Sequence, residues 1–128
     1  MATRSLVAVV DDDESVRESL PHLLRQFGFA TQAFSSAEEF LASDILDQTR
    51  CLILDVAMSG MSGPGLQEEL SRRHHVIPIV FITAHEDDTI RPRLIAAGAV
   101  ECLFKPFSVK ALRDAVNSAL SSGLIGLG

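Results

Sequence analysis

Tryptophan and tyrosine are absent from this 128-residue chain, so any task that needs an aromatic ring falls to its seven phenylalanines. Cysteine is scarce as well. Cys51 and Cys102 lack the spacing of metal ligands, and each lies in an apolar run. Buried reduced thiols are therefore expected rather than a disulfide, which points to a reducing compartment. Positive charge is in deficit: 11 Lys and Arg against 17 Asp and Glu leave a net charge of -6. Without surplus cations to neutralise phosphates, the chain alone is not expected to bind nucleic acid or an anionic membrane. No apolar run approaches the roughly 20 residues needed to span a bilayer. The start, MATRS, leads into a short run that stops at charges, unlike a signal peptide. The expected address is the cytoplasm.

What is present is the composition of one ordinary globular domain, with 47% hydrophobic and 22% charged residues. This length buries a single core without disulfides or a structural metal. Four short, mostly β-branched runs have the length of strands, at 6–10, 51–56, 77–83 and 100–104, and 30–34 is a weaker fifth. None alternates cleanly between polar and apolar, the pattern of strands covered on both faces in a parallel sheet. Helical patterns lie between them. Val16, Leu20, Leu23, Leu24 and Phe27 share one face of a first helix that stops at Gly28 and kinks, without breaking, at Pro21. A second opens at Ser35 or Ser36 with Glu38 and Glu39 at capping-box spacing, and buries Ala37, Phe40, Leu41 and Ile45. A third runs from Pro64 to about residue 74, with Leu66 and Leu70 inward. The fourth, near 87–97, contains Pro92, which disfavours helical angles just before it. The fifth starts at Ser108 and buries Val109, Leu112, Val116, Ala119 and Leu120. Five alternations of strand and helix predict a doubly wound α/β domain with its site at the carboxyl ends of the strands.

The residues at those ends are unusual as a set. The first strand ends in Asp11, Asp12 and Asp13, the third in Asp55, the fourth in Thr83, and the fifth in Lys105 followed by Pro106. Taken singly, Asp caps helices, Thr ends strands and Lys solvates edges. Together, on the rim of one parallel sheet, they form a cluster of carboxylates that calls for a cation. Oxygen ligands alone suit Mg²⁺, which commonly joins one or two carboxylates to a phosphoryl oxygen. A lysine then answers phosphate charge, and a threonine hydroxyl donates a hydrogen bond.

In order along the chain, VVDDD, LDVAMSGMSG, VFITAH and LFKPF resemble the receiver domain of two-component response regulators. The likeness extends from about residue 6 to 120 and is nearest to the nitrogen-fixation and LuxR-type regulator group. The resemblance implies a flavodoxin-like fold: a five-stranded parallel sheet of order 2-1-3-4-5 flanked by five helices. It makes residues 1–121 the receiver domain and 122–128 a flexible glycine-rich tail or the start of a linker. It implies that Asp55 accepts a phosphoryl group from a sensor histidine kinase, with Mg²⁺ held by Asp11, Asp12, Asp55 and the backbone carbonyl of Ala57. Thr83 becomes the switch hydroxyl, Lys105 the phosphate partner, and Ala84 the small residue beside the switch. His85 lies near the path of water to the phosphate, and Pro106 follows a cis bond. Asp13 falls outside this set and reads as a helix cap. The implied output face is the fourth helix, fifth strand and fifth helix, which also serves for homodimers. The receiver either stands alone or regulates transcription through a DNA-binding domain beyond this chain.

Two positions depart from the family pattern. Ser59 stands where a proline is usual, which predicts a looser loop. Cys102 stands where Tyr or Phe is usual, which predicts an altered output surface with the phosphorylation chemistry retained. Two other functions compete. A haloacid dehalogenase-like phosphotransferase needs a second acid two positions past its nucleophile, and here that position is Ala57. A pseudo-receiver used only for docking predicts lost acids or lysine, yet all are present. The glycine-rich stretch at 60–65 reads as loop and helix-start chemistry rather than a phosphate loop. His74 and His75 read as a helix end rather than a metal pair.

Overall fold

A computed structural model describes residues 4–84 and 89–125, with the side chains of the last helix described as far as Ser121. Five strands, β1 (Leu6–Val10), β2 (Ala30–Phe34), β3 (Thr49–Asp55), β4 (Ile79–Thr83) and β5 (Glu101–Phe104), alternate with α1 (Glu14–Gln26), α2 (Ala37–Leu41), α3 (Gly63–Arg72), α4 (Ile90–Ala96) and α5 (Val109–Ile125). All strand pairs are parallel, in the order β2-β1-β3-β4-β5. The sheet is the one expected from the resemblance. Its central strands are apolar at successive positions because both faces are covered. Val7 and Val9 meet Leu20 and Leu24 of α1 and Leu112 and Val116 of α5. Ala8 and Val10 face the other way, toward Phe40 of α2, Leu66 and Leu70 of α3 and Leu94 of α4. No helix among the described residues is long and apolar enough to cross a membrane.

Local chemistry sets the helix starts. Asp13 caps α1 by accepting the Ser15 N–H at 2.8 Å. Ser36 caps α2 by accepting the Glu39 N–H at 3.0 Å, while Glu39 takes the Ser35 N–H at 3.0 Å. Ser62 caps α3, placing Pro64 in its first turn, where a missing N–H leaves no bond unmade. Helix α1 continues through Pro21, which is buried.

Several expected boundaries and burials are corrected. Helix α2 ends at Leu41, and Ile45 packs on the core from a short 3₁₀ turn's approach rather than from the helix. Strand β4 begins at Ile79 instead of 77, because Pro78 has no N–H for the ladder and contributes only its carbonyl, to Leu52. Helix α4 starts at Ile90, so Pro92 sits in its first turn; the stretch 85–88 lies outside the described residues. Val109 is 52% exposed, not buried, because it opens α5 ahead of the face that begins with Leu112. Helix α5 runs to Ile125.

One glycine is fixed by close packing at the site. A Cβ on Gly63 would stand 2.3 Å from the Asp55 backbone oxygen and 3.0 Å from the Phe81 ring. The carbonyl belongs to the central strand and does not yield. Gly63→Ala is expected to destabilise by about 1–3 kcal/mol, the range for overpacking. Gly65→Ala meets only the flexible Met61 and Ser62 side chains at 3.2 Å and should cost less. Denaturant midpoints of the two variants check the order.

Candidate functional site

Strand β1 is buried from Val7 to Val10, and the chain takes on charge only as it leaves the sheet. Register then brings the acids together. Val10 lies opposite Leu54, so Asp11 and Asp55 each stand one residue past a paired position on neighbouring strands. Asp11 is fully buried. Its Oδ1 accepts the Asp13 N–H at 2.9 Å, and its Oδ2 lies 3.2 Å from Lys105 Nζ. Its own carbonyl accepts from Arg17 Nη1 at 3.1 Å. Asp12 is exposed, and its Oδ2 takes the Ser59 N–H at 3.4 Å. Asp55 is 7% exposed. Asp11, Asp12 and Asp55 each offer an oxygen within 4.8 Å of the others. A hard divalent cation such as Mg²⁺ suits this all-oxygen, net-negative set.

The cationic and hydroxyl sides of the rim come from β4 and β5. Thr83, buried, is the last residue of β4 and pairs with Phe104. Its carbonyl accepts the Lys105 N–H at 2.7 Å, extending the ladder to the lysine. The Lys105–Pro106 peptide is cis. Ala84 follows Thr83 and is exposed, Ala57 is exposed at the start of the loop after β3, and His85 lies outside the described residues. Cys102 stands apart from this rim. It is 3% exposed, belongs to the core cluster of Phe81, Leu94 and Ala99, and has its thiol pKa raised by burial and then by the Glu101 carboxylate. A cavity of about 670 Å³ between α3 and α4, lined by Pro64, Gln67, Glu68, Ile90, Arg93 and Leu94 among others, contains none of Asp11, Asp12 and Asp55.

Two contacts at the site escaped the sequence reading. Arg17 bonds the Asp11 main chain from the first turns of α1. Glu38 reaches across to the Met61 N–H at 3.1 Å. The pair Glu38–Glu39 held a partial signal, since one capping box uses only one acid.

The chain from residue 7 to 117 matches the family model described as the response regulator receiver domain. It belongs to the receiver-domain family. Nodulation protein W of Bradyrhizobium diazoefficiens is 47% identical over 92% of this chain and 52% of its own length. The transcriptional regulatory protein TdiR of Thauera aromatica is 42% identical over 91% and 52%. The chain therefore spans about half the length of the curated relatives it matches. Among solved structures, the response regulator StyR superposes with a TM-score of 0.88 at 48% identity, covering 95% of this chain and 62% of that one. FixJ-N does so with a TM-score of 0.83 at 36% identity, covering 94% and 96%. Receiver domains generally bind Mg²⁺ at an acidic pocket, and the three carboxylates here fit that chemistry.

The electrostatics of this receiver domain focus on Asp55. Burial first, then the charge of Asp11 and that of Asp12, push its pKa from 3.8 up to about 6, against the pull of Lys105 and of a hydrogen bond from the Ala57 amide. In the unfolded chain the carboxyl ionises near 3.8, whereas the folded domain keeps the proton until about pH 6. Ionisation thus costs the folded state nothing below pH 4, progressively more through this window, and the full amount above it. In metal-free buffer Asp55→Asn is expected to stabilise by about 1–3 kcal/mol at pH 7.5, with the gain fading by pH 4. Urea unfolding across that range checks it, and a variant less stable than wild type at pH 7.5 would refute the electrostatic assignment.

Proposed function

We propose that Asp55 is the phosphoacceptor of a phosphorelay. A carboxylate oxygen of Asp55 attacks the phosphorus of a phosphohistidine on a sensor kinase, the P–N bond breaks, and the imidazole nitrogen keeps the electron pair and takes up a proton. The observation that carries this reading is an almost buried strand-end carboxylate between two further acids and a lysine. Its raised pKa of about 6 still leaves it mostly ionised at neutral pH, as a nucleophile requires. Asp11, Asp12, Asp55 and the Ala57 carbonyl would hold Mg²⁺, with Asp11 acting largely through water. When bound, the ion supplies charge neutralisation at the phosphoryl oxygens. Lys105 offsets the remaining negative charge, and the Thr83 hydroxyl donates to the phosphoryl group. Ala84 leaves room beside it, and His85 tunes the approach of water.

On this reading the domain is a signalling switch acting on itself in the cytoplasm rather than an enzyme with an external product. Its output passes through the α4, β5 and α5 face, which pairs with a second copy and would control any transcription-regulating region joined to it. Two exposed apolar side chains on that face, Ile95 at 37% and Val109 at 52%, support it as a contact surface. The names of relatives such as TdiR support the transcriptional role.

Incubation with acetyl phosphate and Mg²⁺ should add one phosphoryl group by intact mass, and Asp55→Asn should gain none. No gain in wild type under varied conditions would favour a docking module instead. Mg²⁺ should also raise the thermal midpoint. Asp12→Ala should abolish most of that rise, whereas Asp13→Ala should keep it while losing about 1 kcal/mol of helix cap with or without the ion. Equal loss of the Mg²⁺ effect in both would count against this division of the aspartates.

A further inference from the structure

The loop between β3 and α3 has alternate amides tied to carboxylates. The Ala57 N–H goes to Asp55, the Ser59 N–H to Asp12 Oδ2 at 3.4 Å, and the Met61 N–H to Glu38 Oε2 at 3.1 Å. Two of these acceptors belong to the acid cluster. The third arrives from a different element, the first turn of α2. Glu38 is not needed as a cap there, because Ser36 and Glu39 already complete a reciprocal pair of bonds. The loop is shaped to admit it. Gly60 has φ +77, and a Cβ at that position would lie 2.9 Å from Glu38 Oε2. A side chain at 60 would thus be strained and would push the carboxylate off the loop. The Met58 and Met61 side chains pack against the core on the same side, so Glu38 fixes the main chain where the side chains already anchor it.

We infer that Glu38 is a positioning residue for the phosphoacceptor loop. It holds residues 59–61 so that the Ser59 N–H and the main chain at Ala57 stay at the acid cluster. Asp12 and Asp55 are expected to exchange their amide partners for a cation and a phosphoryl group. Glu38 has no such competing duty, so its hold persists through the cycle. The consequence for phosphorylation rests on the reading of Asp55 as phosphoacceptor, but the hold on the loop does not.

A plainer role is possible for an acid in the first turn of a helix, where it only offsets the positive end of the backbone dipole. The test separates the two. Amide hydrogen exchange at 59–61, and the Mg²⁺ concentration for half-maximal phosphorylation by acetyl phosphate, are measured for wild type, Glu38→Ala, Glu38→Gln and Glu39→Ala. Glu38→Ala should accelerate exchange at 59–61 and raise the Mg²⁺ requirement, each by about 3- to 10-fold, as for a lost charge-assisted hydrogen bond. Glu38→Gln keeps a side-chain carbonyl acceptor and should restore most of both. Glu39→Ala removes a helix cap and should leave both near wild type. Unchanged exchange in Glu38→Ala, or an equal effect from Glu39→Ala, would overturn the inference. If wild type takes no phosphoryl group, the phosphoacceptor reading fails, and the exchange data alone still decide for or against Glu38.

Discussion

Repulsion among Asp11, Asp12 and Asp55 is the constraint that the surrounding structure must meet. Two unit negative charges about 5 Å apart repel by roughly 3 kcal/mol at the effective dielectric of a protein site. Fully burying one aliphatic side chain returns about 1.5–3 kcal/mol, so a few core residues outweigh each pair. Leu52, Ile53 and Leu54, the three residues before Asp55, are all fully buried, as are Val9 and Val10 before Asp11. The acids are therefore held together by the strands beneath them. Lys105 relieves only part of the repulsion, through its contact with Asp11, and burial first, then the remaining repulsion, raise the pKa of Asp55. A site left in deficit of positive charge suits a hard divalent cation.

The same acids also organise the loop above them. Asp55 and Asp12 accept amides from Ala57 and Ser59, so the position of the loop and the charge of the cluster are coupled. Ser59 was expected to loosen this loop by replacing a proline. It also supplies the N–H that meets Asp12, a donor that proline lacks. Gly63 closes the loop from the other side, its amide bonding the Val56 carbonyl at 3.0 Å and its missing side chain allowing α3 to start against β3.

The strand-end residues were legible because a strand end is a local event: an apolar run stops, and a polar residue follows. Asp11, Asp55, Thr83 and Lys105 each stand at such a stop, and parallel pairing turns four local signals into one rim. Strand β2 gave the weakest signal for a physical reason, since it lies at the sheet edge and only Phe34 is buried. Helix caps at Asp13 and Ser36 were equally local. Contacts between distant segments were not legible. Glu38 finds Met61 23 residues away, and nothing in the spacing of either announces the other. Val109 shows a different limit: an apolar residue at a helix start has no periodic neighbours before it to say which way it faces.

Cys102 brings the sheet edge into the same account. An aromatic was expected to be missing from this position, and a buried thiol fills it within the core cluster. Side chains two apart on a strand share a face, so Phe104 lies on the face of Cys102, one step nearer the acid rim. It is also the residue paired with Thr83. The strand thus carries its ring at the residue paired with Thr83 and not at position 102. Below it, Glu101 ties β5 to α4: its Oε1 accepts from Arg91 at 2.6 and 2.9 Å and from the Cys102 amide at 2.9 Å. One carboxylate thus holds both a helix side chain and a strand amide. Phe104, paired with Thr83, is not among the residues that this carboxylate bonds.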